Sequence, residues 1–351
     1  MRTWRGLRPF WLLAVLVCSP TFASETAEAT RQALGTELED FSATTWNHKP
    51  VSLPNEGPHF LPAVGPALTR YRERLAVLGE WPATPVWHQA GTIQLAREDR
   101  VERLGIDVFL PGTKPRGTLL FVHGYLSHAA DFAYTFAFFV SRGWSVVTLD
   151  LPGHGLSTGP RGDIDQFSEY GDAVQTWLAW CSAQPREGPV VLLAHSLGTA
   201  ACLDALSRPG TFVPDRVIFC APLLRPAWYP ALLTGEALLG WAIKGIPAQL
   251  GNDGYLDGTQ APTHWFAELH RWLDAWADHE SLSFPLVIFS GDRDQIVDQL
   301  WNRSAYQRLV PSHRYVLLSG SDHFFLTARS GRLAVHEEIF QVASEALIPR
   351  P

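Results

Sequence analysis

The stretch Val190-Val191-Leu192-Leu193-Ala194-His195-Ser196-Leu197-Gly198-Thr199 is a continuous apolar run that stops at a serine. A run of this kind fits a strand buried on both faces. The segment that follows, Gly198 to Leu206, is rich in small residues and reads as a helix. A serine on the sharp turn between such a strand and such a helix is the context of a nucleophile elbow, which holds the hydroxyl clear of the sheet. The pattern is A-x-S-x-G rather than G-x-S-x-G, with Ala194 at the first small position. Small residues are required on both sides because helix and strand backbones approach closely at the turn. Alanine meets that need where φ is negative.

Outward from this point the chain alternates. Thr118 to Val122, Trp144 to Leu149, Val190 to Leu193, Arg216 to Cys220, Pro285 to Ser290 and Arg314 to Leu318 read as strands. Ala130 to Ser141, Ile164 to Cys181, Leu197 to Ser207, Gln299 to Leu309 and Leu333 to Leu347 read as helices. The alternation implies an α/β fold, with a mostly parallel sheet covered by helices on both faces. Upstream, Val86 to Leu95 and Val101 to Leu110 alternate like an antiparallel pair at a sheet edge, joined by the charged turn Arg97-Glu98-Asp99-Arg100. A short helix is expected from Pro66 to Leu78, and residues 24 to 60 read as a loosely structured, polar, Pro-rich arm.

One long excursion breaks the rhythm. Residues 225 to 283 hold five of the fourteen tryptophans, Trp228, Trp241, Trp265, Trp272 and Trp276. The excursion is expected to be a helical cap over the C-terminal strand edge, where open α/β sheets bind their ligands. Trp228 and Trp241 are the expected substrate-binding residues of an apolar acyl wall. Trp272 and Trp276, four apart on one helical face, are expected to pack the cap itself. The organisation is then residues 1–23 as a signal peptide, 24–85 as an N-terminal arm, 86–224 as the first part of the core, 225–283 as the cap and 284–351 as the second part.

Composition narrows the function. The 351 residues are 46% hydrophobic and 18% charged, enough to bury a sizeable core. The net charge of −7, with no basic cluster, argues against a nucleic-acid partner. Arg2, Arg5 and Arg8 precede the apolar run Phe10 to Val17, and Thr21-Phe22-Ala23 offers small residues for cleavage after Ala23. At about eight residues that run is far shorter than the ~20 needed to span a bilayer. Cys18 does not make a lipoprotein signal, because Val17 stands where a small residue is wanted. Cys181, Cys202 and Cys220 form neither a disulfide framework nor a metal site. Cys202 and Cys220 read as core, and Cys181 as the one open to solvent. No metal-ligand spacing and no phosphate-cradling glycine loop is present, so no cofactor is expected.

A serine hydroxyl is a poor nucleophile until a base takes its proton and a third group orients that base. With the elbow first, the acid should follow a late strand and the histidine the last strand. Both positions are filled: Phe289-Ser290-Gly291-Asp292-Arg293-Asp294 and Leu318-Ser319-Gly320-Ser321-Asp322-His323. Among thirteen histidines, His323 is singled out by that placement. Asp294 is favoured as the acid, Asp292 is the runner-up, and Asp298 suits the start of the next helix. The oxyanion needs two backbone donors. These are expected from Leu197, after the nucleophile, and from Tyr125 in the loop His123-Gly124-Tyr125-Leu126-Ser127. His154, in the Gly-rich run Asp150 to Ser157, reads as structural, and His195 reads as packing with its side chain turned away from the serine.

Taken together these residues resemble the α/β-hydrolase superfamily, and within it the monoacylglycerol lipase and lysophospholipase group that overlaps the serine aminopeptidase-like hydrolases. The resemblance rests on His123-Gly124, the Asp150-to-Ser157 loop, His195-Ser196-Leu197-Gly198, Gly291-to-Asp294 and His323, and covers roughly residues 95 to 345. It implies a helical cap inserted after the sixth core strand. It also implies an exported serine hydrolase that cleaves carboxylic esters, with monoacylglycerol or lysophospholipid as substrate and transient contact with a lipid surface. The same site would serve a peptidase or an acyltransferase, and a non-catalytic ligand-binding protein on this fold is the alternative from another class.

Overall fold

The computed structural model describes residues 39–40, 66–82, 86–227, 229, 245–247 and 260–348. The signal-peptide segment 1–23, most of the arm, and Trp228 and Trp241 lie outside the described residues. The elements are β1 (Glu39–Asp40), α1 (Pro66–Gly79), β2 (Val86–Ala96), β3 (Val101–Pro111), β4 (Thr118–Val122) and α2 (Ala133–Val140). They continue with β5 (Ser145–Leu149), α3 (Glu169–Ala183), β6 (Val190–His195), α4 (Leu197–Ser207) and β7 (Arg216–Cys220). The last are β8 (Gly245–Pro247), β9 (Gln260–Pro262), α5 (Thr263–Trp276), β10 (Leu286–Gly291), α6 (Gln299–Leu309), β11 (Arg314–Leu318) and α7 (Arg332–Ser344).

Nine strands form one sheet in the order β1-β2-β3-β5-β4-β6-β7-β10-β11. From β5 to β11 every pairing is parallel. The long hairpin β2–β3 is antiparallel and joins the rest through β5. Every residue of β4, β5, β6 and β10 is buried, which is why these strands read as unbroken apolar runs. Two apolar layers cover the sheet. One is built from α1, α2 and α7, with Tyr71, Phe136, Phe139 and Ile339. The other is built from α3, α4, α5 and α6, with Trp177, Leu203, Trp265 and Tyr306. The order places β4 between β5 and β6, so the chain leaves β4 to one side and returns on the other. That reversal opens a crevice at the carboxyl ends of β4 and β6.

Three expectations are corrected. The helix expected from Ile164 begins at Glu169, because Asp163 accepts the Ile164 N–H and holds the entry as a turn. Cys181 is buried in the α3 layer rather than solvent-facing. Trp272 packs α5 onto the core rather than the insertion onto itself: its ring lies 4.9 Å from Phe167, and its Nε1–H donates to Asp204 of α4 at 2.6 Å.

Candidate active site

The elbow is formed as its sequence requires. Ser196 follows β6 with φ 50° and ψ −118°, a backbone that a non-glycine residue rarely adopts. A Cβ added at Gly198 would sit 2.5 Å from the His123 carbonyl oxygen and 2.7 Å from that of Val122. The first turn of α4 therefore approaches the end of β4 as closely as only glycine allows. Ala194, the departure from the commoner glycine, is fully buried.

Register brings the other pieces to the serine. Val122 at the end of β4 is paired with Ala194 of β6, so the loop after β4 meets the turn after β6. A Cβ at Gly124 would lie 2.9 Å from His195 Nδ1 and 3.1 Å from the Ser196 Cβ. His123 fixes this loop. The Leu151 N–H donates to His123 Nε2 at 2.9 Å, so Nδ1 carries the proton and donates to the Gly124 carbonyl at 2.7 Å. In a trans peptide the carbonyl of Gly124 and the N–H of Tyr125 point in opposite directions. Holding the carbonyl therefore aims the Tyr125 N–H. Among the described residues neither that N–H nor the Leu197 N–H has a hydrogen-bond partner.

On the other side, Gly291 of β10 is paired with Leu318 of β11, and the loops that leave these strands carry the acid and the histidine. Asp294 Oδ2 lies 2.8 Å from His323 Nδ1, and His323 Nε2 lies 3.0 Å from Ser196 Oγ. All three residues are buried. The backbone N–H groups of Ile296 and Val297 donate to Asp294 Oδ1 at 2.8 and 3.2 Å. Burial by itself would raise the Asp294 pKa. The hydrogen bond and charge of His323, helped by the two N–H groups, outweigh burial and hold the carboxyl below its ordinary value. Asp292 is exposed and accepts the Gly320 N–H at 2.7 Å, so it braces the neighbouring loop instead. Asp298 caps α6, accepting the Trp301 N–H at 3.0 Å.

His195 does more than pack. Its Nε2–H donates to the His323 backbone carbonyl at 3.0 Å, and the ring lines the cavity described next. Burial, with the nearby His323 charge, pushes it down to about 3, so it stays neutral and holds the His323 loop in place. Its position beside the serine was the only sequence signal for this brace. His154 is fully buried, and its Nδ1–H donates to the Pro152 carbonyl at 2.9 Å.

Ser196 and His323 open into a cavity of about 540 Å³. One wall is apolar and carries Leu223, Ala261, Trp265, Phe266 and Ile296. The other mixes the apolar Leu78, Phe132, Tyr134 and Leu326 with Arg74, Ser127, Asp131, Thr327 and Arg332. Trp265 is stacked on Tyr125, with ring centroids 3.9 Å apart, and its Nε1–H donates to Tyr170 Oη at 3.1 Å. Sequence composition flagged Trp265 only as one tryptophan among five, and it did not flag Phe266, Arg74 or Arg332. The described residues contain no His, Cys, Asp and Glu group able to hold a metal. None of the described helices is long and apolar enough to cross a membrane.

Residues 113–250 match the family model described as serine aminopeptidase, S33. The chain is 29% identical over 228 residues to a monoacylglycerol lipase of Mycolicibacterium smegmatis, spanning 59% of this chain and 81% of the lipase. It is 33% identical over 111 residues to the phospholipase YtpA of Bacillus subtilis, spanning 32% of this chain and 42% of that protein. In three dimensions it is similar to a soluble variant of the Saccharomyces cerevisiae monoglyceride lipase, with a TM-score of 0.58 and 17% identity over 73% of this chain and 95% of that one. The monoacylglycerol lipase of Paleococcus ferrophilus gives a TM-score of 0.54 at 19% identity, over 68% of this chain and 98% of that one. At these identities the solved structures speak for the α/β-hydrolase fold.

Proposed function

The chain is an α/β-hydrolase of the serine aminopeptidase S33 family, and from that premise we propose that it hydrolyses carboxylic esters of monoacyl lipids through an acyl-serine intermediate. The observation that carries this reading is the line Asp294–His323–Ser196, at 2.8 and 3.0 Å, opening into a cavity with an apolar wall. Ser196 Oγ attacks the ester carbonyl while its proton passes to His323 Nε2. The negative oxygen is received by the N–H groups of Leu197 and Tyr125. Collapse breaks the C–O bond, and His323 returns the proton to the leaving alcohol. Water then adds to the acyl-serine while its proton passes to His323, and as the acyl C–O bond breaks His323 returns that proton to Ser196 Oγ, releasing the fatty acid. Asp294 keeps the imidazole in the required tautomer and stabilises its charged form.

The names of the related lipases and the Trp265–Phe266 wall support a fatty acyl chain. The family description raises an aminopeptidase as a second reading. That activity needs a carboxylate to receive a substrate ammonium, and Asp131, the acidic residue of the cavity lining, is already paired with Arg74. The expected leader at residues 1–23 supports export, with passing contact at a lipid surface. The secreted or periplasmic protein should then begin at Ser24, and an intact Met1 on the exported protein would overturn that part.

A panel of monoacylglycerol, lysophospholipid, 4-nitrophenyl esters and aminoacyl amides tests the activity. Turnover of esters, rising with acyl length, is expected. Amide cleavage that exceeds ester cleavage would make the protein a peptidase, transfer to an added alcohol in place of hydrolysis would make it an acyltransferase, and no turnover at all would make it a binding protein.

A further inference from the structure

We propose that the α1 wall of the cavity is a subsite for a phosphodiester headgroup, with Arg74 and Arg332 as its donors, so that the preferred monoacyl lipid is a lysophospholipid rather than a neutral monoacylglycerol. This rests on the ester reading of Ser196 and asks what the leaving alcohol carries. An ester bound at Ser196 extends both ways from its carbonyl carbon. The acyl chain belongs on the apolar wall, against Trp265 and Phe266. The leaving alcohol is then directed to the opposite wall, whose charged residues are Arg74, Arg332 and Asp131. On a chain of net charge −7, this wall has one more positive charge than negative.

The two guanidinium groups are built in from separate elements. Tyr71 Oη donates to the buried Asp107 at 2.5 Å and ties α1 to β3, which sets Arg74 one turn further along at the cavity. Arg74 is ion-paired through Nε to Asp131, and its side chain, one quarter exposed, also lines the cavity. The Arg332 guanidinium lies 3.8 Å over the Tyr134 ring and is paired with Glu80, a carboxylate that does not line the cavity. That partner is 62% exposed, so the pair is weak and readily exchanged for another anion. The guanidinium side chains themselves are only 25% and 16% exposed, and a charge-assisted bond is strengthened by such partial desolvation. Glycerol hydroxyls could not take the place of the carboxylates that now face these guanidinium groups, whereas phosphodiester oxygens match a forked donor.

The test compares kcat/KM for lysophosphatidylglycerol and for monoacylglycerol with the same acyl chain, both below micelle formation. The ratio should exceed one in the unaltered protein. Arg74→Gln should lower it by roughly tenfold to a hundredfold, mainly through KM, and Arg74→Lys should restore part of the loss. Asp131→Asn, which removes the carboxylate that competes for Arg74, should raise the ratio. A structural role for Arg74 would instead slow both lipids equally and leave the ratio unmoved. That result, or an unaltered protein that prefers monoacylglycerol, overturns the headgroup subsite while the ester reading stands. Failure to cleave either lipid or any 4-nitrophenyl ester would sink the ester reading itself.

Discussion

The reaction centre and the cavity walls are built in different ways. Ser196, Asp294 and His323 ride on turns that leave β6, β10 and β11, and parallel pairing from β6 through β7 and β10 to β11 sets their separation. The walls are carried by α1, α5, α7 and the loops beside them, helices held by apolar packing and by polar contacts such as Tyr71–Asp107 to β3 and Trp272–Asp204 to α4. A centre fixed by strand register acts alike on every substrate, whereas walls hung from helices can change without moving it. Changes in the centre should therefore lower kcat for all esters, and changes in the walls should alter preferences among them.

The largest contrast within the centre is between two neighbouring carboxylates. Asp294→Asn removes the acceptor that orients His323 and should cost roughly three to four orders of magnitude in kcat. Asp292→Asn loosens only the Gly320 turn and should cost far less. Steady-state kinetics on a short ester decides this, and a reversed ranking would move the acid to Asp292. Next comes the loop that aims the Tyr125 N–H. Loss of one oxyanion donor costs about a hundredfold to a thousandfold, so His123→Phe, which releases the Gly124 carbonyl, should lower kcat by up to about a hundredfold at every acyl length. A loss confined to long chains would place His123 with the walls instead.

Wall substitutions should show the opposite pattern. Each buried CH₂ is worth roughly 0.8 kcal/mol, about fourfold in kcat/KM. Trp265→Ala should flatten the rise of kcat/KM with acyl length while harming acetate esters less. An unaltered protein with a flat profile would remove the lipid reading. Stability separates the two regions in another way. Burial pushes His154 and His195 down to about 3 and His336 to about 4, and holds His123 well below its ordinary value. Below the unfolded value of about 6.5 the unfolded chain binds protons that the folded one refuses, so stability present above that pH is lost as pH falls. Each such group contributes a slope of up to ~1.4 kcal/mol per pH unit. Asp150, raised by burial to about 7, opposes this, because its contribution falls as pH rises from 3.8 to 7, and Asp204 and Glu169, also raised by burial, oppose it from lower values, three carboxylates against four imidazoles. Calorimetry from pH 8 to 4.5 should show Tm falling on acidification, and a rising Tm would contradict neutral burial. His123, His154 and His195 lie at or just beyond strand ends around the centre, so the acid weakness is sited there rather than in the walls.

The same division decided what the sequence could reveal. Val190–His195 and Leu286–Gly291 are buried on both faces, so their apolar runs mark them as strands without any tertiary knowledge. Ser196 and Asp294 stand a few positions beyond these strands, His323 stands beyond the less buried edge strand β11, and register does the rest. Nothing local marks Arg74, because its meaning depends on α1 packing beside Asp131, 57 positions away in the chain. Asp292 and Asp294 look alike in sequence. Only the fold shows one turned toward Gly320 and the other toward His323. The part played by His195 was hidden for the same reason, since its partner is a backbone carbonyl 128 residues downstream.

The central claim is that Ser196 is the acyl-accepting nucleophile, activated by His323 and Asp294. Labelling with a fluorophosphonate, followed by peptide mass spectrometry, tests it most directly. The adduct should fall on Ser196, vanish in Ser196→Ala and form far more slowly in Asp294→Asn. An adduct on another serine, or equal labelling of the Ser196→Ala protein, would contradict it.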